Sequence, residues 1–144
     1  MPRAVIDTTV LVSAFLRPRA GGASFDLLHL AATGAFELVL SEDILEETAR
    51  VLLTRPHLRR RYDYPDDAIV TYCKGLATIA TLVISDPPPL DVVRDPEDNM
   101  IVACAAAAKA EYLVSRDKDL LALGEYAGIR MLSPEAFLRV LRAA

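Results

Sequence analysis

Four carboxylates at distant positions, Asp7, Glu47, Asp98 and Asp117, are the residues of this chain whose type and setting could do chemistry. Carboxylate and water oxygens are the preferred ligands of hard cations such as Mg2+ and Mn2+. Several carboxylates at close quarters would suit phosphodiester hydrolysis, which needs an activated water and stabilisation of charge on the phosphoryl and leaving oxygens. Such a site requires no histidine or cysteine nucleophile, and the chain offers few. His29 and His57 exclude a histidine-rich metal site or a paired-histidine nuclease. Cys73 and Cys104 lie in helical patterns among apolar neighbours, wrongly spaced for a zinc knuckle or a disulfide framework, and read as buried free thiols.

These acids matter only if the fold gathers them. Ala4-Val5-Ile6 is a short apolar run, as expected of a strand buried on both faces of a parallel sheet, and Asp7 follows it at once. Residues 9–16 and 24–32 carry helical apolar spacing, separated by Pro18 and Gly21-Gly22. A second strand at 37–40 leads to Ser41, a good N-cap, with Glu42 and Asp43 opening a helix to about residue 53. Residues 54–61 form a basic elbow, a helix covers 66–79, and 81–84 is a β-branched strand followed by a stiff Pro87-Pro88-Pro89 connector. Asp95-Pro96-Glu97-Asp98 opens an alanine-rich helix to about residue 109. A strand at 112–115, a short helix at 118–123, a last edge strand at 130–132 and a helix capped by Ser133-Pro134-Glu135 complete the chain. Strands alternating with helices predict an α/β sandwich on a mostly parallel sheet.

In open parallel sheets, function gathers beyond the carboxyl ends of the strands. Asp7 and Asp117 each follow a predicted strand, and Asp98 lies in a helix's first turn, so the three can converge on one sheet edge. Glu47 borders the stripe made by Ile44, Leu45, Thr48, Val51 and Leu52, whereas Glu46 points away from it. A glutamate at the margin of a buried face is costly without a partner; no lysine sits four residues on, where Val51 stands. Each acid alone also has a plain structural use. Asp95 can cap its helix with Asp98 facing the dipole, Asp7 can end a strand, Glu47 can be solvated, and Asp117 and Asp119 can start a helix.

The 144 residues fit a single domain, 1–144, with an ordinary globular balance of 53% hydrophobic and 25% charged residues. A net charge of −4 argues against a general nucleic-acid coat, but a metal-bridged site tolerates it. No apolar stretch is long enough to span a bilayer, and Asp7 interrupts the only early apolar run, so the chain reads as cytoplasmic with no membrane partner. In the basic elbow, Arg55, Arg59, Arg60 and Arg61 could bind RNA phosphates or form a solvated turn. Tyr62 and Tyr64 beside it could stack bases or pack, and Tyr72 fits the core face of its helix.

Four motifs together resemble the PIN-domain proteins, and within them the VapC-like toxins of prokaryotic toxin–antitoxin systems. They are Val5-Ile6-Asp7-Thr8-Thr9-Val10-Leu11-Val12-Ser13-Ala14, Ser41-Glu42-Asp43-Ile44-Leu45-Glu46-Glu47-Thr48 running on to Val51-Leu52, Asp95-Pro96-Glu97-Asp98-Asn99 before Ala103-Cys104-Ala105, and Leu113-Val114-Ser115-Arg116-Asp117-Lys118-Asp119-Leu120-Leu121. The resemblance spans residues 4–138. It implies a three-layer α/β/α sandwich and a Mg2+- or Mn2+-dependent endoribonuclease with Asp7, Glu47, Asp98 and Asp117 as its acidic quartet. Asp119 and Asp95 then become outer ligands, and Thr9, where the family often has Asn or Ser, holds a metal-bound water. Arg116 replaces a frequent glycine and could contact phosphate. The same resemblance implies a small antitoxin partner and a homodimer. The competing classes are a PIN-like scaffold or RNA-binding module without catalysis, and an aspartate-based phosphohydrolase or receiver. The last two lack support: Thr9 stands where a phosphohydrolase wants a second Asp, and Ser115-Arg116-Asp117 where a receiver wants a lysine.

Overall fold

Short apolar runs that bury both faces build the centre of the protein. The computed structural model describes residues 1–84 and 94–143, so the proline connector at 87–89 lies outside the described residues. Its strands are β1 (Arg3–Ile6), β2 (Glu37–Ser41), β3 (Thr81–Val83), β4 (Tyr112–Val114), β5 (Glu125–Tyr126) and β6 (Ile129–Leu132). They form one sheet in the order β3-β2-β1-β4-β6-β5. Every neighbouring pair is parallel except β5 with β6. Val5 lies opposite both Val39 and Leu113, and all three are buried, as a strand covered by helices on both faces requires.

The helices are α1 (Thr8–Leu16), α2 (Ala23–Ala32), α3 (Glu42–Thr54), α4 (Pro56–Arg61), α5 (Asp66–Ile79), α6 (Pro96–Ala107), α7 (Lys118–Leu123) and α8 (Pro134–Ala143). With the sheet they make a three-layer α/β/α sandwich, in which α6 packs directly on β1, β2 and β4. None among the described residues is long and apolar enough to cross a membrane. Phe36 and Phe137, both fully buried, meet edge to face at 5.0 Å and lock α8 onto the main core.

The sheet order carries the functional geometry. The chain runs outward from β1 to β2 and β3, then returns to the other side of β1 with β4. The carboxyl ends of β1 and β4 therefore flank a topological switch point, where a crevice opens because the connections leave in opposite directions. The Asp7 N–H donates to the Val114 carbonyl at 2.9 Å, extending the pairing one residue past β1.

A second apolar cluster of Val12, Val51, Leu52 and Ile69 ties α1, α3 and α5 together beside that crevice. Tyr72 Oη donates to the Leu11 carbonyl at 2.6 Å, and its ring packs on Phe15 as its place on a core face predicts. Tyr64 also packs: it meets Phe15 edge to face and donates to the Leu52 carbonyl at 2.7 Å. The hydroxyls of Thr8 and Thr48 lie 3.2 Å apart, pinning α1 to α3. Ser41 caps α3 as predicted, its Oγ accepting from the Ile44 N–H at 3.2 Å, a bond worth about 1 kcal/mol of helix stability.

Three expectations change. The basic elbow is a short helix, α4, because Pro56 occupies the first helical position, where its missing N–H is harmless. The strand at the end of the sheet is β5 rather than β6. Tyr126 pairs with Ile129 through a two-residue turn in which Ala127 (φ 51°) and Gly128 (φ 82°) both take the left-handed conformation of a type I′ hairpin. Finally, Cys104 is buried but Cys73 is only half-buried, although both are free thiols.

Candidate metal centre

Asp7 leaves β1 in extended conformation (φ −70°, ψ 154°) as the N-cap of α1, yet its side chain makes no capping bond. Its carboxylate turns instead to two hydroxyls. Oδ2 accepts from Ser115 Oγ at 2.6 Å and from Thr9 Oγ1 at 2.9 Å. Burial pushes the Asp7 carboxyl above its usual range; the Ser115 and Thr9 hydrogen bonds oppose that shift, and the charge of Asp117 adds to it. Ser115 is fully buried, and its Oγ also accepts from the Asp117 N–H at 2.9 Å. One hydroxyl thus spaces two acids from different strands.

Asp117 caps α7, with Oδ1 accepting from the N–H groups of Asp119 (2.8 Å) and Leu120 (3.4 Å). Asp98 enters from the first turn of α6. Its neighbour Asp95 performs the capping there, accepting from the Glu97 N–H at 2.9 Å. Asp98 itself is 7% exposed, and its buried Oδ2 has no hydrogen-bond partner among the described residues. A helix N-terminus should favour its charged form, but burial, followed by the charges of Asp117, Asp7, Asp95 and Asp119, pushes its carboxyl up to about 7. Repulsion and burial outweigh the dipole here.

One carboxylate oxygen from each of Asp98, Asp117 and Asp119 lies within 4.8 Å of the others. Oxygen ligands of hard cations sit about 2.0–2.6 Å from the ion, so small rotations would bring all three onto one. An orphaned buried carboxylate oxygen amid like charge fits a divalent cation: such a cation supplies the missing partner and cancels the repulsion together. Asp7 stands beside this trio, and Glu47 lines the same cleft of about 500 Å³. Val12, Val51, Leu58, Met100 and Ile101 supply the apolar part of its lining.

Glu47 does have a partner, three residues along rather than four. Arg50 Nη2 lies 2.6 Å from both of its carboxylate oxygens and reaches across to Glu97 Oε1 at 3.5 Å. A search of the sequence for a lysine one turn on passes over this guanidinium. It also passes over Ser115, whose only signal is a small hydroxyl residue ending a buried strand. Thr9 donates to Asp7, and its Oγ1 accepts from the Arg116 N–H at 3.1 Å.

The arginines separate by role. Arg55 lines the cleft. Arg59 is committed elsewhere, bridging to Asp66 at 2.7 Å with its guanidinium 4.7 Å from the Tyr64 ring. Arg61 lies over Tyr62 at 5.5 Å, and Arg60 is exposed. Arg116 turns from the cleft to Glu135, with contacts of 2.9 and 3.1 Å.

An α/β sandwich with acids from several elements converging on its switch point defines a class of protein suited to metal-dependent work on phosphates. A family model described as PIN domain matches residues 3–119, and the chain belongs to that family. PIN domains are typically metal-dependent nucleases. Among solved structures, the crystal structure of PAE2754 from Pyrobaculum aerophilum is similar, with a TM-score of 0.62 over 99% of this chain and 91% of that one. At 17% identity that likeness bears on the fold alone. No curated protein sequence matches the chain.

Proposed function

We propose that this protein is a metal-dependent endoribonuclease that hydrolyses RNA phosphodiester bonds, with Asp7, Glu47, Asp98 and Asp117 as its acids and Asp119 as a further ligand. The observation that carries the reading is the buried, partnerless Oδ2 of Asp98 beside Asp117, Asp119 and Asp7. A bound Mg2+ or Mn2+ would supply Lewis acidity for a water nucleophile and neutralise charge on the phosphoryl oxygens. The chain does the rest. Ser115 and Thr9 hold Asp7 in one rotamer, Asp95 fixes the turn that presents Asp98, and Asp117 is set by its own cap to α7. The remaining lone pair of Thr9 Oγ1 could accept from a water next to Asp7.

Defined RNAs incubated with Mn2+ test this reading. The wild type should cut them, and Asp7→Asn or Asp98→Asn should abolish cutting while the fold stays intact. Cleavage that persists in chelator would sink the mechanism. DNA controls belong in the assay, because a metal-water mechanism does not need the 2′-hydroxyl.

The biological role we propose is the toxin of a type II toxin–antitoxin pair, acting in the cytoplasm as a homodimer. The cleft's mixed lining supports a small antitoxin partner: its apolar residues could seat a hydrophobic segment, and its acids would receive an Arg or Lys. Purification from cells that never recovers a small companion would count against that role, and sedimentation would test the dimer. A non-catalytic RNA-binding scaffold draws support from the Arg50 guanidinium that already occupies Glu47. Metal titration by calorimetry separates the two, since a scaffold would take up no Mn2+.

A further inference from the structure

The acidic cleft has a basic neighbour. A second pocket of about 290 Å³ is lined by Arg17, Arg19 and Arg116, with Ser13, Ser24 and Glu135 at its wall. Three arginines and one glutamate line it, in a chain whose net charge is −4. This is therefore a local reversal of the protein's field.

The pocket is built rather than incidental. Gly21 takes φ +90°, which an L side chain rarely adopts, and its N–H donates to Asp26 Oδ1 at 3.1 Å. The Gly22 N–H closes back on the Arg19 carbonyl at 3.1 Å, and a Cβ at position 22 would come within 3.2 Å of that oxygen. Arg116 is oriented by Glu135 and by Ser24 Oγ at 3.3 Å. Arg17 Nε donates to Tyr62 Oη at 3.3 Å. The Arg19 guanidinium makes no hydrogen bond or ion pair among the described residues.

The linings of the two pockets adjoin in the chain, with Arg116 in the basic one and Asp117 in the acidic one. Arg116 lies between Ser115 and Asp117, and its N–H binds the same Thr9 hydroxyl that donates to Asp7. We propose that the Arg17–Arg19–Arg116 pocket is a phosphate subsite that holds the RNA backbone phosphate next to the one placed at the carboxylates. The proposal rests on the nuclease reading above and adds where the strand lies. The carboxylates repel an RNA strand until cations neutralise them, so positive charge beside the cleft adds to affinity. Arginine supplies it through forked donors matched to phosphate oxygens. An acidic protein segment would find the same charges, but the adjacency to the acids favours a strand that continues through the cleft.

The test uses the full chain and a fluorescein-labelled short single-stranded RNA, with binding read by anisotropy in Ca2+ over a salt series. Each phosphate contact on a single strand contributes about 0.7 to the slope of log K against log salt. Arg17→Ala/Arg19→Ala should weaken binding about tenfold or more and lower that slope by about 0.7 to 1.4. Arg17→Lys/Arg19→Lys should recover part of the affinity by restoring charge. With Mn2+, the alanine pair should raise KM more than it changes kcat. A wild type that cleaves RNA beside an alanine pair of unaltered affinity and slope would overturn the subsite and leave the nuclease reading standing. A wild type that neither binds nor cleaves RNA would overturn both.

Discussion

Asp98→Asn should stabilise the metal-free protein while abolishing its response to metal. Burial and the charges of Asp117, Asp7, Asp95 and Asp119 push the Asp98 carboxyl from 3.8 up to about 7. The folded chain therefore keeps a proton that the unfolded chain releases in that window, so stability falls as pH rises from about 4 to about 7 and is level above. One pKa unit corresponds to about 1.4 kcal/mol, so the full shift would amount to about 4 kcal/mol. The carboxyl abuts an open cleft, and solvent screening reduces the realised effect to about 1–2 kcal/mol. Asparagine is neutral throughout. In chelator at pH 8, the variant should thus melt above the wild type by about 3–6 °C, at about 3 °C per kcal/mol for a chain of this size.

At pH 5 the difference should shrink to about a third, because Asp98 then keeps its proton in the folded wild type and only the unfolded chain ionises. Mn2+ should invert the ranking at pH 8: at a hundredfold excess over Kd it stabilises the wild type by about 2.7 kcal/mol, while the variant gains little. Thermal melts at the two pH values, with Mn2+ or with chelator, measure all four cases. An Asp98→Asn variant less stable than wild type at pH 8 in chelator would refute the reasoning. Asp98 would then be serving the helix dipole, a favourable term of about 0.3–1 kcal/mol, rather than waiting for a cation.

Other perturbations probe the parts around it. Ser115→Ala deletes the hydroxyl shared by Asp7 and the Asp117 N–H; it should cost about 1–3 kcal/mol in urea unfolding and about 10–100-fold in Mn2+ affinity by calorimetry. Arg50→Ala removes the guanidinium that competes for Glu47 and should tighten Mn2+ binding about threefold, the scale of an exposed ion pair. Ala127→Gly relieves a left-handed non-glycine residue in the β5–β6 turn and should raise stability by about 0.5–1 kcal/mol, read as a shift in urea midpoint. Arg59→Ala should destabilise the fold, since Arg59 ties α4 to Asp66 and Tyr64, whereas exposed Arg60→Ala should leave the melting curve unmoved.

How much of this was legible in the sequence follows from how local each signal is. The strands at 4–6, 37–40 and 112–115 announce themselves as apolar runs, because a strand covered on both faces has no polar side. The β5–β6 hairpin does not, because Ala127-Gly128 lacks the Asn-Gly or Asp-Gly pair that usually marks a type I′ turn. Helix α4 was hidden by its own arginines, which read as a solvated loop although Pro56 was a start signal in plain view. At Asp95-Pro96-Glu97-Asp98, sequence offered capping and ligation for the same acids. The structure divides the labour, giving the cap to Asp95 and leaving the Asp98 oxygen without a partner.

The hydroxyls matter because they make the acids act as one unit. Asp7 and Asp117 would separate if charge alone decided, since the charge of Asp117 raises the cost of ionising Asp7. Ser115 counters this by donating to one and accepting from the backbone of the other, and Thr9 repeats the pattern between Asp7 and Arg116. A rotation at Arg116 is therefore felt at Asp7 through a single side chain. Phosphate drawing on Arg116 in the basic pocket would pull on the hydroxyl that orients Asp7, which couples holding the strand to setting the acids. Thr9→Val keeps the side-chain shape and breaks that link. In it, the change that RNA makes in Mn2+ affinity, read by calorimetry with and without RNA, should be smaller than in the wild type.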